Sequence, residues 1–176
     1  FRYFVGNGIN KLLERALPES ERTEENMLKI REDFVAYYAE HKADFTAPYD
    51  GICELLKDLK RRGMLLAVAS NKYHSATVAL IPEYFGEGLF DFVYGQRDGV
   101  PIKPDPTIVF DIMKEAGVLK DEVLYVGDSG VDMQTAVNSG VASVGVTWGF
   151  RDREELLKNG ARYIADQPWE ILKFIR

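Results

Sequence analysis

The chain has 176 residues, 46% hydrophobic and 28% charged, with a formal net charge of −6, a length that suits one domain or a core with a small cap and needs no covalent staple. The acidic balance argues against a nucleic-acid partner, which needs a basic footprint. The single cysteine, Cys53, excludes an intrachain disulfide and a CxxC metal knuckle and suits a reducing cytoplasm, and no apolar run approaches the roughly 20 residues of a membrane helix.

In chain order, residues 5–17 open with Gly6-Asn7-Gly8 and continue at helical spacing through Ile9, Leu12, Leu13 and Leu17 to Pro18. A second helix is predicted over 24–43, with Thr23 as its N-cap. Residues 1–46 therefore read as a small helical unit and 47–176 as a core, the change coming at Pro48. From there helices and strands alternate. A helix over 50–62 ends in Arg61-Arg62-Gly63. The run Met64-Leu65-Leu66-Ala67-Val68-Ala69 reads as a strand buried on both faces. A helix follows over 74–81, stopped by Pro82, then a strand over 90–94, a helix over 106–116, a strand over 122–126, a helix over 130–139 and a strand over 142–147. A helix over 152–159, a strand over 163–165 and a final helix over 168–175 complete the chain. This alternation predicts an α/β fold, a Rossmann-like parallel sheet with helices on both faces in three layers.

Ligands in open parallel sheets bind beyond the carboxyl ends of the strands. One predicted strand runs into Ser70-Asn71-Lys72 and another into Gly127-Asp128-Ser129-Gly130-Val131-Asp132. Lys103 lies between them, in a loop stiffened by Pro101, Pro104 and Pro106. Asp128 and Asp132 repel unless a cation sits beside them, and hard oxygen ligands at this spacing suit Mg²⁺. Ser129 with Asp132 also matches a helix-capping pattern, and Ser70 and Asn71 match a cap for the helix that starts near His74. The functional reading is that the Ser70 hydroxyl and nearby backbone N–H groups grip a phosphate oxygen, with the Lys103 ammonium as a charge clamp. His41 and His74 read as surface or local hydrogen-bonding residues. Cys53, Trp148 and Phe150 read as packing.

Ser70-Asn71, Lys103 in IKPDP and the segment from Gly127 to Asp132 resemble the second, third and fourth motifs of haloacid dehalogenase phosphatases. The runs YDGICELLKDLKRRGMLLAVASNK, VGNGINKLLERAL and VASVGVTWGF are similar to the phosphoglycolate-phosphatase subgroup. The resemblance implies that Ser70 binds the transferring phosphoryl group, with Asn71 shaping the turn, and that Lys103 neutralises the phosphate and orients the nucleophile. It implies Asp128 as a Mg²⁺ ligand, Asp132 in support of that shell, and Gly6-Asn7-Gly8 in the cap near the substrate entrance. The substrate would be a small anionic phosphate ester, 2-phosphoglycolate by default.

The family's first motif, Asp-x-Asp-Gly-Thr, is not found in these residues; the resemblance places it upstream of Phe1, on a strand between those at 64–69 and 122–126. Three arrangements stay open: the strand precedes Phe1, another chain supplies it (a homo-oligomer among the cases), or the two flanking strands pair directly. The chain alone is expected not to turn over phosphate esters. Alternative functions are a non-catalytic phosphate- or partner-binding module on the same scaffold, and a sugar-phosphate mutase; a haloacid dehalogenase has no use for a carboxylate pair that binds Mg²⁺.

Overall fold

The computed structural model describes residues 4, 8–41 and 44–175, divided into two units at the boundary between Ala47 and Pro48. The first holds α1 (Ile9–Ala16) and α2 (Glu24–His41), joined through a 3₁₀ turn at Glu19–Glu21. The Thr23 hydroxyl accepts from Asn26 N at 3.2 Å, the cap expected for α2. Leu13 is the buried anchor of this unit, where α1 packs on α2. Gly6 and Asn7 lie outside the described residues.

The second unit runs α3 (Ile52–Arg61), β1 (Ala67–Tyr73), α4 (His74–Phe85), β2 (Phe92–Gln96), α5 (Thr107–Ala116), β3 (Leu124–Gly127), α6 (Gly130–Ser139), β4 (Ala142–Val146), α7 (Arg153–Lys158) and β5 (Tyr163–Ala165). It ends in a 3₁₀ stretch, Pro168–Phe174, where a regular helix was expected. Glu170 reaches back to Asp166 N and Gln167 N, a capping arrangement that fixes its start. All strand pairs are parallel. They form two sheets, β1 with β2 and β3-β4-β5 in that order. Of the three arrangements left open by the sequence, direct pairing of β1 with β3 is not found among the described residues.

Adjacent strand residues point to opposite faces, and Leu124 and Tyr125 accordingly enter different cores. Leu124 packs with α3 side chains Leu55 and Leu59 and with Val144 and Val146 of β4. Tyr125 packs with Ile108 and Val109 of α5 and Ala136 of α6. Helices thus cover both faces, giving the three-layer α/β arrangement. Both cores also take side chains from the β1–β2 side, Leu66 in one and Ala69 and Tyr94 in the other, so the two sheets share their packing without sharing a ladder.

Three local expectations are corrected. The strand read over 64–69 is shifted to 67–73, so Ser70-Asn71-Lys72 lies inside β1 and not beyond it. Pairing with β2 is irregular there, because Ala69 opposes Tyr94 and Tyr73 opposes Gln96. The strand is also not buried on both faces: Ala67 is exposed and Leu65 just before it is 53% exposed, as Val126 of β3 is at 42%. Finally, α4 continues through Pro82 to Phe85. The carbonyl that Pro82 cannot bond belongs to Val78, a residue on the exposed side of the helix.

Candidate functional site

The site is assembled around Lys103, which is carried by the loop between β2 and α5. Its ammonium has three N–H groups and three acceptors: Ala69 O in β1 at 2.9 Å, Tyr125 Oη in β3 at 3.2 Å and Asp132 Oδ1 in α6 at 2.7 Å. One side chain thereby spans the interval between the two sheets. The backbone of Lys103 is held as firmly. Its N–H donates to Asn71 Oδ1 at 2.9 Å, and its carbonyl accepts from Asn71 Nδ2 at 3.1 Å. Asn71 does not cap α4; both ends of its amide position Lys103. Ser70 does not cap α4 either. Its hydroxyl accepts from Lys72 N at 3.1 Å, a local turn that lies between the two residues gripping Lys103.

Asp132 is a member of this cluster and a helix-cap partner at once. Its Oδ1 takes Lys103 and, at 3.3 Å, the Tyr125 hydroxyl; its Oδ2 accepts from Ser129 Oγ at 2.6 Å, and its N–H donates to Ser129 Oγ at 3.3 Å. The capping expectation for Ser129 is met, and it serves the cluster, since it fixes the first turn of α6 that presents Asp132. Gly127 allows this close approach: a Cβ there would lie 2.3 Å from Asp132 Cβ.

Asp128 sits where β3 gives way to α6. Its Oδ2 accepts from Phe150 N at 2.9 Å, and Gly149 beside it leaves room that any side chain would fill, since a Cβ at 149 would fall 2.2 Å from that same oxygen. Among the described residues, no other residue donates to its Oδ1.

The electrostatics separate the two carboxylates. Burial raises the Asp128 carboxyl above its ordinary value; the Phe150 N–H opposes this and the nearby Asp132 charge adds to it. Burial works in the same sense on Asp132, but the Lys103 ammonium and then the Ser129 and Tyr125 hydroxyls outweigh it, and Asp132 is held below the usual carboxylate range. Burial opposes the charge on Lys103, yet Tyr125 and Asp132 beside it win and raise its pKa. Tyr125 is pushed up to about 12, chiefly by burial. Lys103 and Asp132 are thus an ion pair, each side chain 11% exposed, while Asp128 feels Lys103 only as a minor influence and burial prevails.

A partly buried carboxylate with one free oxygen, destabilised in its charged form, fits a divalent cation. Mg²⁺ takes one or two protein carboxylates and completes its shell with water and substrate oxygens. Asp128 offers a ligand atom, while both Asp132 oxygens are engaged within the protein. Among the described residues no group of three His, Cys, Asp or Glu side chains gathers as a metal cage, so such an ion would rest on Asp128 and on oxygens from elsewhere.

Sequence reasoning picked out Ser70, Asn71, Lys103, Asp128 and Asp132, and Lys103 joins the segments that carry them: it bonds Asp132, is clamped by Asn71, caps the carbonyl preceding Ser70 and acts electrostatically on Asp128. It missed Tyr125, whose phenol in an otherwise apolar strand was the available signal, and the role of the Gly149-Phe150 backbone beneath Asp128, although the run VASVGVTWGF that ends there carries the family resemblance. No described helix is long and apolar enough to cross a membrane.

Residues 1–146 match the family model of haloacid dehalogenase-like hydrolases. A phosphoglycolate phosphatase of Mannheimia succiniciproducens is 28% identical over 178 residues, covering 98% of this chain and 80% of that protein. One of Pseudomonas syringae pv. tomato is 34% identical over 172 residues, covering 94% of this chain and 62% of that protein. The chain therefore spans 62 to 80% of the length of these two relatives. The crystal structure of a candidate phosphoglycolate phosphatase from Lactobacillus delbrueckii subsp. bulgaricus superposes with a TM-score of 0.92 at 34% identity, covering 99% of this chain and 81% of that one. With the matched segment running from the first helices through β4, and with relatives and a solved structure agreeing over nearly the whole sequence, the chain belongs to the haloacid dehalogenase-like hydrolase family and is of the phosphoglycolate-phosphatase type.

Proposed function

We propose that this chain carries the greater part of a Mg²⁺-dependent phosphomonoesterase for a small phosphorylated acid, with 2-phosphoglycolate as the first substrate to test. The observation that carries the reading is the meeting of β1, β3, α6 and the 97–106 loop on the Lys103 ammonium, beside a carboxylate with a free oxygen. Lys103 and Asp132 cancel one another's charge, so Asp128 sets the local balance. A bound Mg²⁺ would supply electrostatic attraction for the phosphate oxygens at Asp128. Ser70, in the irregular stretch of β1, would present its hydroxyl and the neighbouring backbone N–H groups to the phosphoryl oxygens. Asn71 would act through Lys103, by holding its backbone.

The nucleophile of this reading is an aspartate on a strand lying between β1 and β3, from a segment outside these 176 residues. Among the described residues the β1 edge away from β2 and the β3 edge away from β4 are unpaired, which supports it, because native proteins rarely leave such edges open. So do the exposed Leu65 and Val126, apolar side chains flanking that interval. In the proposed chemistry this carboxylate attacks phosphorus and the P–O(ester) bond breaks, the alcohol leaving with a proton from a general acid. Water then displaces the aspartate and releases inorganic phosphate. The residues present here bind, orient and balance charge, and alone they would not turn over esters.

Phosphate release from 2-phosphoglycolate tests the reading, measured on the chain extended at its N-terminus by a strand ending in Asp-x-Asp. Release with Mg²⁺ that stops on chelation is the expected result. Phosphate binding without turnover of any phosphomonoester would replace the reading with a non-catalytic binding module, and conversion of glucose 1-phosphate to an isomer would replace it with a mutase.

A further inference from the structure

Two segments hold Asp128 in place: the turn that leads from it into α6, and the loop after β4 that brings Gly149 and the Phe150 N–H against its carboxylate. Neither is fixed by a regular ladder. Both meet one side chain, Glu155 of α7. Its Oε1 accepts from Gly130 N, two residues beyond Asp128, at 3.2 Å. The same oxygen pairs with Arg151 Nε, one residue beyond Phe150, at 3.3 Å, and the Arg151 side chain is only 10% exposed. Glu155 is itself fixed. Its N–H donates to the Asp152 cap at 2.8 Å, and its carbonyl accepts from Asn159 Nδ2 at 2.8 Å. Asn159 in turn accepts from Gln134 Nε2 in α6 at 2.6 Å, which ties α7 back to the helix carrying Asp132. The fit at Gly130 is close: a Cβ there would lie 3.1 Å from Glu155 Oε1 and 2.7 Å from Asn159 Nδ2.

We infer that Glu155 is a positioning residue for the Asp128 carboxylate. One charged oxygen fixes the chain on both sides of that group, and a carboxylate at a helix N-terminus is favoured there by the unpaired N–H groups. Glu155 does not reach the proposed cation. It holds the backbone that aims Asp128, as outer partners of a ligand commonly do. Nothing in the sequence singles it out, since it lies among the charges of an exposed helix. The inference rests on the reading of Asp128 as a cation ligand.

The test is titration of the protein with Mg²⁺ alone, followed by calorimetry, for the unaltered chain and for Asp128→Asn, Glu155→Ala and Glu155→Gln, with thermal unfolding of each recorded without the ion. The unaltered chain is expected to bind, and Asp128→Asn to lose binding. Glu155→Ala is expected to weaken affinity about 10-fold or more, in the range that outer-partner substitutions give. Glu155→Gln keeps an oxygen for Gly130 N–H but not the charge that holds Arg151, and is expected to fall between the two. That graded order at similar unfolding temperatures supports positioning; a merely structural residue would shift unfolding and leave affinity alone. Should Glu155→Ala not fold, Glu155→Gln carries the test by itself. Unchanged affinity in the folded Glu155 variants, with binding lost in Asp128→Asn, overturns the inference and leaves the Asp128 reading intact. No Mg²⁺ binding by the unaltered chain removes that reading, and the inference with it.

Discussion

Replacing Lys103 by methionine removes the charge that organises the site while keeping most of the side-chain volume. The partner left behind is Asp132, whose side chain is 11% exposed. Breaking a buried pair by removing one member costs about 3–5 kcal/mol, because the other charge is stranded. Asp132 would keep the Ser129 hydroxyl at 2.6 Å and the Tyr125 hydroxyl at 3.3 Å, which places the loss at the lower end, about 3 kcal/mol. For a domain of this size that lowers the unfolding midpoint by about 6–12 °C. The pH dependence has a definite sign. Asp132 is depressed in the native protein, so its contribution is present above the ordinary carboxylate range and lost as pH falls. Without Lys103, burial dominates and raises its pKa, so the variant's penalty is full at neutral pH and fades on acidification. The gap between the two proteins should therefore narrow as pH falls towards about 4. Adding Asp132→Asn removes the stranded charge, keeps an acceptor for one of the two hydroxyls and turns an amide donor to the other, so the double variant should be more stable than additivity predicts, by about 1–3 kcal/mol. Urea unfolding of all four proteins at pH 7 and pH 4.5 measures this. A Lys103→Met variant as stable as the parent at pH 7, or strictly additive effects, would refute the buried pair as the centre of the site.

Tyr125→Phe removes a hydroxyl that accepts from Lys103 and donates to Asp132; a loss of about 1.5–3 kcal/mol is expected in urea unfolding. Gly149→Ala puts a Cβ 2.2 Å from Asp128 Oδ2, so it should destabilise by about 1–3 kcal/mol and weaken Mg²⁺ binding in the same calorimetric titration. Asp91 sits away from the site, bonded to Leu66 N at 2.8 Å and to Lys60 at 2.5 Å. Burial opposes its charge, but Lys60 and that N–H prevail and lower its pKa. Its contribution is thus present above the unfolded-state value and lost as pH falls through the native one, so Asp91→Asn should destabilise at pH 7 and converge with the parent as pH falls below the ordinary carboxylate range, as read by thermal unfolding.

The parts of this molecule that were legible in sequence are those set by near neighbours. Gly127-Asp128-Ser129-Gly130-Val131-Asp132 announces a strand, a turn and a capped helix within six residues, and the Ser129–Asp132 bonds form as that pattern requires. The start of α2 and the limits of α6 and β5 follow from Thr23, Gly140 and the short apolar run at 163–165 for the same reason. What sequence could not give depends on partners far along the chain. The end of β1 was placed too early because Ser70 to Tyr73 is made a strand by Gln96, whose pairing leaves no trace in local composition. The run from Met64 to Ala69 looked buried on both faces, yet exposure is decided by what lies alongside, and Leu65 lacks that cover among the described residues. Asn71 was read as a helix cap and as shaping a turn, and no local pattern signals that its amide also binds a backbone 32 positions away. Pro82 was taken as a stop, but α4 runs through it to Phe85 on a side of the helix where Val78 is exposed.

In the proposed site, Asp128 would present its free oxygen to a divalent cation at the junction of β1, β3 and α6. Anomalous scattering from a crystal soaked in Mn²⁺ as a stand-in for Mg²⁺ addresses it most directly. A single strong peak within about 2.1 Å of Asp128 Oδ1, the spacing such hard cations adopt, and its disappearance in Asp128→Asn, is the predicted result. A saturated crystal with no peak there, or with its peak held by other side chains, would contradict the account.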